Sequence, residues 1–577
     1  METTVKAPWI KQLGSIPATL TYSSRTMFGE VAQFAERRPD YIACEFLGSR
    51  LTYAALAALI RRTGAALRAL GVMPGDRVTI CMPNTPQAVA AFYAVNLAGG
   101  VANMVHPLSS EPEMEFYLTE SKSRVCIGFD QSYEKLLAAC RAAGVDELVL
   151  ASARDGLTPL KKLGYDLTQK KKAPYPKRDV FGGAHPHVQN WRTFLAGGKG
   201  QSDEPAPRKP EDPAVILYSG GTTGVTKGIL LSNRNFNALA AQIVATNPMF
   251  SPGDRMLAVM PLFHGFGLGV CIHSMLASGG DALLIPRFNA ASYADLLKKQ
   301  RPNFIAGVPT LYEALLRTSR LEGVKLDCLK GVFSGGDSLP PDLKRRFDAF
   351  LKQHGATIQI REGYGTTECV TASCLTPPDS YREGSIGLPF PDTYYKIVKP
   401  STEEEVPYGE EGEICLSGPT VMLGYLDRPE ETADTLRRHA DGLTWVHTGD
   451  LGTMDSDGYV YFRQRLKRMI VTSGYNVYPT QLESVIDAHP KVNLSCVIGV
   501  PDPVRVQKVK AFIVPADGVA PSEELRRELD AYCREKIARY AIPREFEFRT
   551  SLPTTLVGKV AYRVLEEEEA GKPKTEN

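Results

Sequence analysis

Eleven residues between two apolar runs constrain this chain more than any other stretch. Tyr218-Ser-Gly-Gly-Thr-Thr-Gly-Val-Thr-Lys-Gly228 carries four glycines, four hydroxyl side chains and one lysine. Ala214 to Leu217 precede it and Ile229 to Leu231 follow; each run is short enough for a strand and apolar enough to be buried. The chain must therefore turn between two strands. Glycines let that turn curl and aim backbone N–H groups at an anion, while the hydroxyls and Lys227 add donors and charge. Phosphate binding is the functional reading, against the plainer one of a flexible surface turn. Gly228 follows Lys227, so the G-x-x-x-x-G-K-[ST] spacing of a P-loop ATPase or kinase is excluded.

Around this loop the chain alternates short strands with helices. Apolar residues recur at helical spacing between Leu51 and Leu70, with Gly71 as C-cap; Arg77–Cys81 reads as a strand and Pro86 to Ala98 as a helix. The alternation runs to about residue 370 and implies parallel sheet covered by helices. The stretch of about 151–213 interrupts it with Lys161, Lys162, Lys170, Lys171, Lys172, Lys177 and Arg178 among prolines and glycines. It reads as a long basic insertion or loop, either merely solvated or in contact with anionic membrane lipid or an acidic partner. After Glu383 the texture turns to short strands and tight turns, a β-rich subdomain of about 383–464. From Arg465 on, strands at Met469–Val471, Leu494–Val500 and Val509–Val514 and helices at Pro479–Ala488 and Ser522–Ile537 predict a separate unit, 465–577, whose charged tail Glu566–Asn577 reads as frayed.

Composition narrows the class. At 577 residues the chain is long enough for three or more folding units, and its net charge of +2 argues against a nucleic-acid partner. Eleven cysteines without a CxxC pair fit neither a disulfide scaffold nor a structural zinc site. The opening METTVKAPWIKQLG lacks a signal pattern, and the apolar stretch Ala88–Val105 is broken by Asn96, Gly99, Gly100 and Asn103. A cytoplasmic protein is expected, with peripheral contact at the inner membrane surface left open.

Four further motifs carry chemistry. Gly363-Tyr-Gly-Thr-Thr-Glu368 sets hydroxyls before a carboxylate suited to Mg²⁺, with Tyr364 placed to stack on a base; a capped helix start would look similar. Trp445-Val-His-Thr-Gly-Asp450 ends on an Asp that suits a ribose diol or a simple turn. Arg465-Leu-Lys-Arg-Met-Ile470 leads into Ser473-Gly-Tyr-Asn-Val-Tyr-Pro479, and Leu552-Pro-Thr-Thr-Leu-Val-Gly-Lys559 lies near the C-terminus.

In this order the five motifs resemble the ANL superfamily of adenylate-forming enzymes, from about Thr26 to Lys559. The resemblance implies an N-terminal AMP-binding domain, 1–464, of two helix-covered β-sheets plus a small β-barrel, and a small mobile α/β C-terminal domain. It implies ATP, Mg²⁺ and CoA. Ser219, Gly220, Gly221, Thr222, Thr223, Gly224 and Lys227 would embrace the β- and γ-phosphates, with Thr222 also at the metal. Gly335, Gly336 and Asp337 would flank adenine opposite Tyr364, with Gly365 and Thr366 beside the nucleotide. Thr367 would touch the α-phosphate and Glu368 would bind Mg²⁺. Asp450 and Arg465 would hold the ribose, and Lys559 the reacting carboxylate and bridging oxygen. Lys467 occupies the hinge position, and Ser473, Gly474 and Tyr475 would help build the thiol channel. Gly220 and Thr226 depart from the family pattern within the phosphate loop, where one hydroxyl and some stiffness are lost and nucleotide affinity is expected to fall while the anion nest survives; Gln464 and Gln481 depart where no direct chemistry is implied.

Pro261-Leu-Phe-His-Gly-Phe-Gly-Leu268 is similar to the family stretch lining the acyl pocket, with His264 by the carboxylate and Phe266 and Leu268 apolar. No cation stands there for a second acidic group on the substrate. An apolar monocarboxylic acid follows, and the ending resembles bacterial fatty-acid–CoA ligases. The expected activity is that of an ATP-dependent acyl-CoA synthetase for a medium- or long-chain fatty acid. Loading of a carrier-protein phosphopantetheine and ligation of aryl or bile acids are the alternatives. A catalytically dead scaffold is disfavoured because Lys559, Glu368 and Asp450 are all present.

Overall fold

The computed structural model describes residues 5–169, 186–218, 226–472, 475–502, 505–554 and 560–571. Ser219 to Gly224, Ser473, Gly474, Lys559 and the basic residues Lys170 to Arg178 lie outside them.

The fold is mixed α/β. One sheet has eight strands, six of them parallel and running from His187–Asn190 at one edge to Pro213–Tyr218. Pro213–Tyr218 then pairs antiparallel with Gly228–Ser232, so the glycine-rich turn joins the two strands expected to flank it. Gly424–Tyr425 adds the edge beyond. A second sheet has nine strands, the central ones parallel: Ile360–Tyr364, Gly331–Ser334, Phe304–Gly307, Arg255–Ala258, Asp281–Leu284 and Ile42–Phe46.

Helix Pro86–Leu97 is buried at every residue and touches strands of both sheets, which is why it is apolar all round rather than striped. It starts at Thr85, whose side chain accepts from the Ala88 N–H, with proline in the first turn where no N–H is missed. One continuous apolar core fills the space between and around the two sheets.

The region expected as a small barrel pairs as a five-stranded antiparallel sheet: Tyr394–Val398, Gly412–Ser417, Leu436–Arg438, Thr444–Met454 and Val460–Arg465. The smaller C-terminal part holds a further five-stranded sheet, built on the long pair Val492–Asp502 and Val506–Pro515, with helices Pro479–Asp487 and Glu523–Lys536 against it.

Two readings are corrected. The 151–213 stretch is not only loop: it supplies helix Pro159–Gln169, edge strand His187–Asn190 and helix Trp191–Gly197. The tail is not frayed through its glutamates. Helix Tyr562–Ala570 is anchored by the buried side chains of Tyr562 and Leu565 and by Glu569, 2.8 Å from Lys510.

Candidate active site

Three motifs follow the carboxyl ends of parallel strands in the nine-stranded sheet, the usual place for a ligand crevice in such folds. Arg255–Ala258 leads to the 261–268 segment, Gly331–Ser334 to Gly335-Gly336-Asp337, and Ile360–Tyr364 ends on Tyr364 itself. They meet. A Cβ on Gly335 would lie 3.5 Å from the Phe266 ring and 3.3 Å from the Gly363 carbonyl, so the segment expected to line an acyl pocket and the one expected at adenine share one wall.

Asp450 is the centre of the polar side. It is buried, and it pairs in register with Arg465 across strands Thr444–Met454 and Val460–Arg465. Tyr364 donates its hydroxyl to Asp450 Oδ2 at 2.7 Å, and Arg465 Nε stands 3.2 Å from Oδ1. The residues expected on either side of a nucleoside are thus tied to one carboxylate. Asp450 in turn holds the Arg465 guanidinium above its ordinary pKa, and burial together with Asp450 pushes the Tyr364 phenol well above its own.

The Asp450 turn has a buried support. Glu413 accepts the Gly449 N–H on Oε1 at 3.0 Å and lies 3.0 Å from His447 Nδ1 through Oε2; His447 Nε2 is 3.0 Å from His439 Nε2. Thr448 donates to the Ile414 carbonyl and accepts from the Asp450 N–H at 3.1 Å. These contacts fix the backbone that presents Asp450.

Glu368 sits on a short 3₁₀ turn, Thr367–Cys369. Tyr425 donates its hydroxyl to Glu368 Oε1 at 2.9 Å, and Lys227 Nζ lies 4.5 Å from the centre of the same ring. Tyr425 therefore links the carboxylate expected at Mg²⁺ to Lys227, the lysine expected at the phosphates. Sequence reasoning missed it; its one signal is an aromatic within Leu423-Gly-Tyr425, a segment too short to read as a strand. A hard carboxylate oxygen on Glu368, tied through Tyr425 to Lys227, fits Mg²⁺ chemistry.

Val370 follows at φ +66° and ψ −56°, closing a three-residue turn with the Thr371 N–H on the Cys369 carbonyl at 2.8 Å. A β-branched residue there is strained, and such strain persists only where the surroundings over-determine it. Here the Val370 carbonyl occupies space that only Gly265 leaves open: a Cβ on Gly265 would be 1.7 Å from it. The strained turn and the 261–268 segment lock together.

Within that segment His264 Nδ1 accepts from the Phe266 N–H at 3.2 Å, and Phe266–His273 forms a π-helix, a conformation frequent at functional sites. Phe266 and Leu268 are buried. Lys467 is exposed on the 3₁₀ turn Leu466–Arg468 that connects the two five-stranded sheets. Tyr475 is exposed and stacks on Tyr540, ring centres 4.6 Å apart. The structure therefore brings Tyr364, Asp450 and Arg465 together, and separately Glu368 and Lys227. The remaining loop residues, Lys559, Ser473 and Gly474 fall outside the described residues.

Comparison with known proteins gives a consistent result. The family model described as AMP-binding enzyme matches residues 31–426, and that described as AMP-binding enzyme C-terminal domain matches 481–559. A long-chain-fatty-acid–CoA ligase of Bacillus subtilis (strain 168) is 34% identical over 572 residues, covering 97% of this chain and 98% of that protein. A feruloyl-CoA synthase of an Amycolatopsis species is 33% identical, with 91% and 95% covered. The crystal structure of ATP-bound MatB from Rhodopseudomonas palustris superimposes with a TM-score of 0.80 at 28% identity, covering 95% of this chain and 99% of that one.

Proposed function

The chain belongs to the AMP-binding enzyme family, and on that premise we propose that it is an AMP-forming acid–thiol ligase that converts a medium- or long-chain fatty acid to its acyl-CoA. Family membership implies ATP and CoA as substrates. The observation that carries the reading is Asp450 held between the Tyr364 hydroxyl and the Arg465 guanidinium.

The chemistry needs that arrangement. In the first half reaction a carboxylate oxygen attacks the α-phosphorus of ATP, the bond to pyrophosphate breaks, and acyl-AMP forms. Two anions must meet, so charge has to be neutralised and the attack held in line. Asp450 and Arg465 would fix the ribose, and Tyr364 with Gly335, Gly336 and Asp337 would hold the base. That leaves Lys227, the 219–224 loop, Thr367 and Lys559 to meet the phosphates. Glu368, with Thr222, would hold Mg²⁺, which supplies positive charge at the phosphates when bound. In the second half reaction the CoA thiol, as thiolate, attacks the acyl carbonyl and AMP leaves. Lys559 has to withdraw for that approach, so we also propose division into 1–464 and 465–577, with rotation at Lys467 bringing Ser473, Gly474 and Tyr475 to the thiol channel. His264, Phe266 and Leu268 would line the acyl pocket. The apolar character of Phe266 and Leu268 and the B. subtilis ligase both support a fatty acid. Free CoA is the proposed acceptor.

A pyrophosphate-release screen over fatty, aryl and sterol acids, with and without CoA, tests this. CoA-dependent turnover peaking at one fatty-acid length is expected. A peak on aryl acids would overturn the substrate, and a single burst indifferent to CoA would replace CoA by a carrier-protein thiol.

A further inference from the structure

The antiparallel sheet that carries Asp450 brings together side chains that the sequence keeps apart. Glu413 and Cys415 lie two residues apart on strand Gly412–Ser417 and so share a face. His447, on strand Thr444–Met454, is the register partner of Cys415. Glu413, Cys415 and His447 are 5%, 0% and 8% exposed, and one ligand atom from each lies within 4.8 Å of the other two. His447 Nδ1 is the hub, 3.0 Å from Glu413 Oε2 and 3.5 Å from Cys415 Sγ. That nitrogen holds one proton or one lone pair, and sulfur is a weak acceptor, so Nδ1 cannot bond both neighbours well. A cation held among the three can serve them all.

The spacing suits zinc. Tetrahedral bonds of about 2.0–2.1 Å to nitrogen and oxygen and about 2.3 Å to sulfur put oxygen and nitrogen about 3.3 Å apart, and sulfur and nitrogen about 3.5 Å apart. The first pair need open by only about 0.3 Å, and the second already fits. A carboxylate and a thiolate together offset a divalent charge, so the filled site is neutral and can stay buried. Thiolate and imidazole select an ion of the zinc kind, whereas Mg²⁺ takes oxygen ligands, which separates these residues from Glu368. The support such a site needs is also present. A histidine that ligates through Nδ1 carries its proton on Nε2 and almost always donates it. His439 Nε2 stands 3.0 Å from His447 Nε2 to accept it, and the His439 ring, itself buried, is stacked on Trp445.

We propose that Glu413, Cys415 and His447 bind one zinc-like divalent cation, with His439 orienting His447 and water completing the shell. Binding requires that the Cys415 thiol lose its proton to solvent and that His447 hold its own on Nε2. Glu413 keeps the Gly449 N–H on its other oxygen, one residue before Asp450, so the ion would brace the turn that presents Asp450. No CxxC pair marks such a site, because its ligands come from two strands and Cys415 and His447 are 32 residues apart.

The full chain is produced with zinc in the medium, dialysed against buffer containing Mg²⁺, and its bound zinc is measured by atomic emission. About one ion per chain is expected. By chelator competition Cys415→Ser should bind zinc about a hundredfold more weakly or worse, and His439→Phe, which removes only the acceptor, about ten- to a hundredfold more weakly. Co²⁺ in place of zinc should give a thiolate charge-transfer band in the parent that Cys415→Ser lacks. Zinc should raise the melting temperature of the parent and not of Cys415→Ser, while the two melt alike in chelator, which shows that the variant folds. Cys328→Ser, which removes a half-buried thiol elsewhere, should bind as the parent does. A parent that retains no zinc, or equal affinity in parent and Cys415→Ser, would overturn the proposal. So would loss of the ion with Cys328→Ser, since the metal would then sit at another thiol. No acid, ATP or CoA enters these measurements, so this proposal and the proposed activity fail separately.

Discussion

The two five-stranded sheets are alike in size and different in attachment. The sheet that carries Asp450 shares its apolar core with the rest of the molecule: Tyr395, Ile414, Leu416, Val446 and Val460 cluster with Trp9 and Leu13 from the N-terminus, with Cys369 from the 3₁₀ turn Thr367–Cys369 and with Cys374 from the nine-stranded sheet. The C-terminal sheet keeps its core to itself. Among the described residues its two apolar clusters draw only on residues from Ile470 to Leu565. Its ties outward include polar ones: Gln464 Oε1 accepts from Thr480 N and Oγ1 at 3.1 and 2.6 Å, Arg317 donates to Asn493 Oδ1 at 2.6 Å, and Tyr478 donates to Glu411. Polar contacts exchange with water at small net cost, whereas separating a shared apolar core exposes it at about 25 cal/mol per Å². The first sheet is joined to the rest of the molecule by a shared apolar core; among the described residues the apolar clusters of the second stay within it, which suits the proposed rotation.

Five substitutions test that contrast, the most damaging first. Lys559→Ala should lower adenylation by about 10²- to 10³-fold or more while thioester formation from supplied acyl-AMP is largely kept. Equal loss in both half reactions would erase the division of labour between the two parts. Asp450→Ala removes the acceptor shared by Tyr364 and Arg465; hydrogen bonds to charged groups are worth about 1.5–3 kcal/mol, so ATP should bind roughly ten- to a hundredfold more weakly by calorimetry. An unchanged Kd would remove Asp450 from the ribose.

Lys467→Pro stiffens the connection and should slow thioester formation by about tenfold while single-turnover adenylation survives better; if both rates hold, the pivot lies elsewhere. Gln464→Gly cuts two hydrogen bonds of about 1 kcal/mol each between the sheets and should change the rate of the second half reaction a few-fold with adenylation little altered. A matching change in both would make Gln464 a plain structural residue.

The smallest effect is one of pH. Burial, with Glu483 and Asp337 adding, lifts the Asp487 carboxyl to about 7. The folded protein keeps a proton that the unfolded chain releases near its ordinary value of about 4. Stability from this group is therefore full below that value and is lost as pH climbs from about 4 to 7. Asp487→Asn should flatten the slope of urea midpoints over that range, and an unchanged slope would show that Asp487 does not set it.

Much of this was legible beforehand, for reasons that differ by element. Strands such as Arg77–Cys81 and Gly412–Ser417 were apolar runs between turn residues, and they formed where those turns required. Asp450 and Arg465 were named from motifs 15 residues apart that the antiparallel register brings face to face. His187–Asn190 was missed because only Val188 is apolar in it; its place at the sheet edge comes from the neighbouring strand rather than from its own pattern. Helix Tyr562–Ala570 was missed because a run of four glutamates hid the two residues that anchor it. Tyr425 and the Glu413–His447 support were invisible for another reason: their partners lie 57 and 34 residues away, and nothing local marks a side chain whose work is to hold another.

The turn Leu466–Arg468 begins one residue after Arg465. A rotation displaces each point in proportion to its distance from the axis. If the axis passes through Lys467, the ribose contact at Arg465 sits within about 7 Å of it along the chain and travels a short arc. Residues at the far rim of the same unit travel a long one. The nucleotide end of the intermediate would then stay seated through the exchange, and the molecule could replace one set of catalytic groups by another without putting down what it holds.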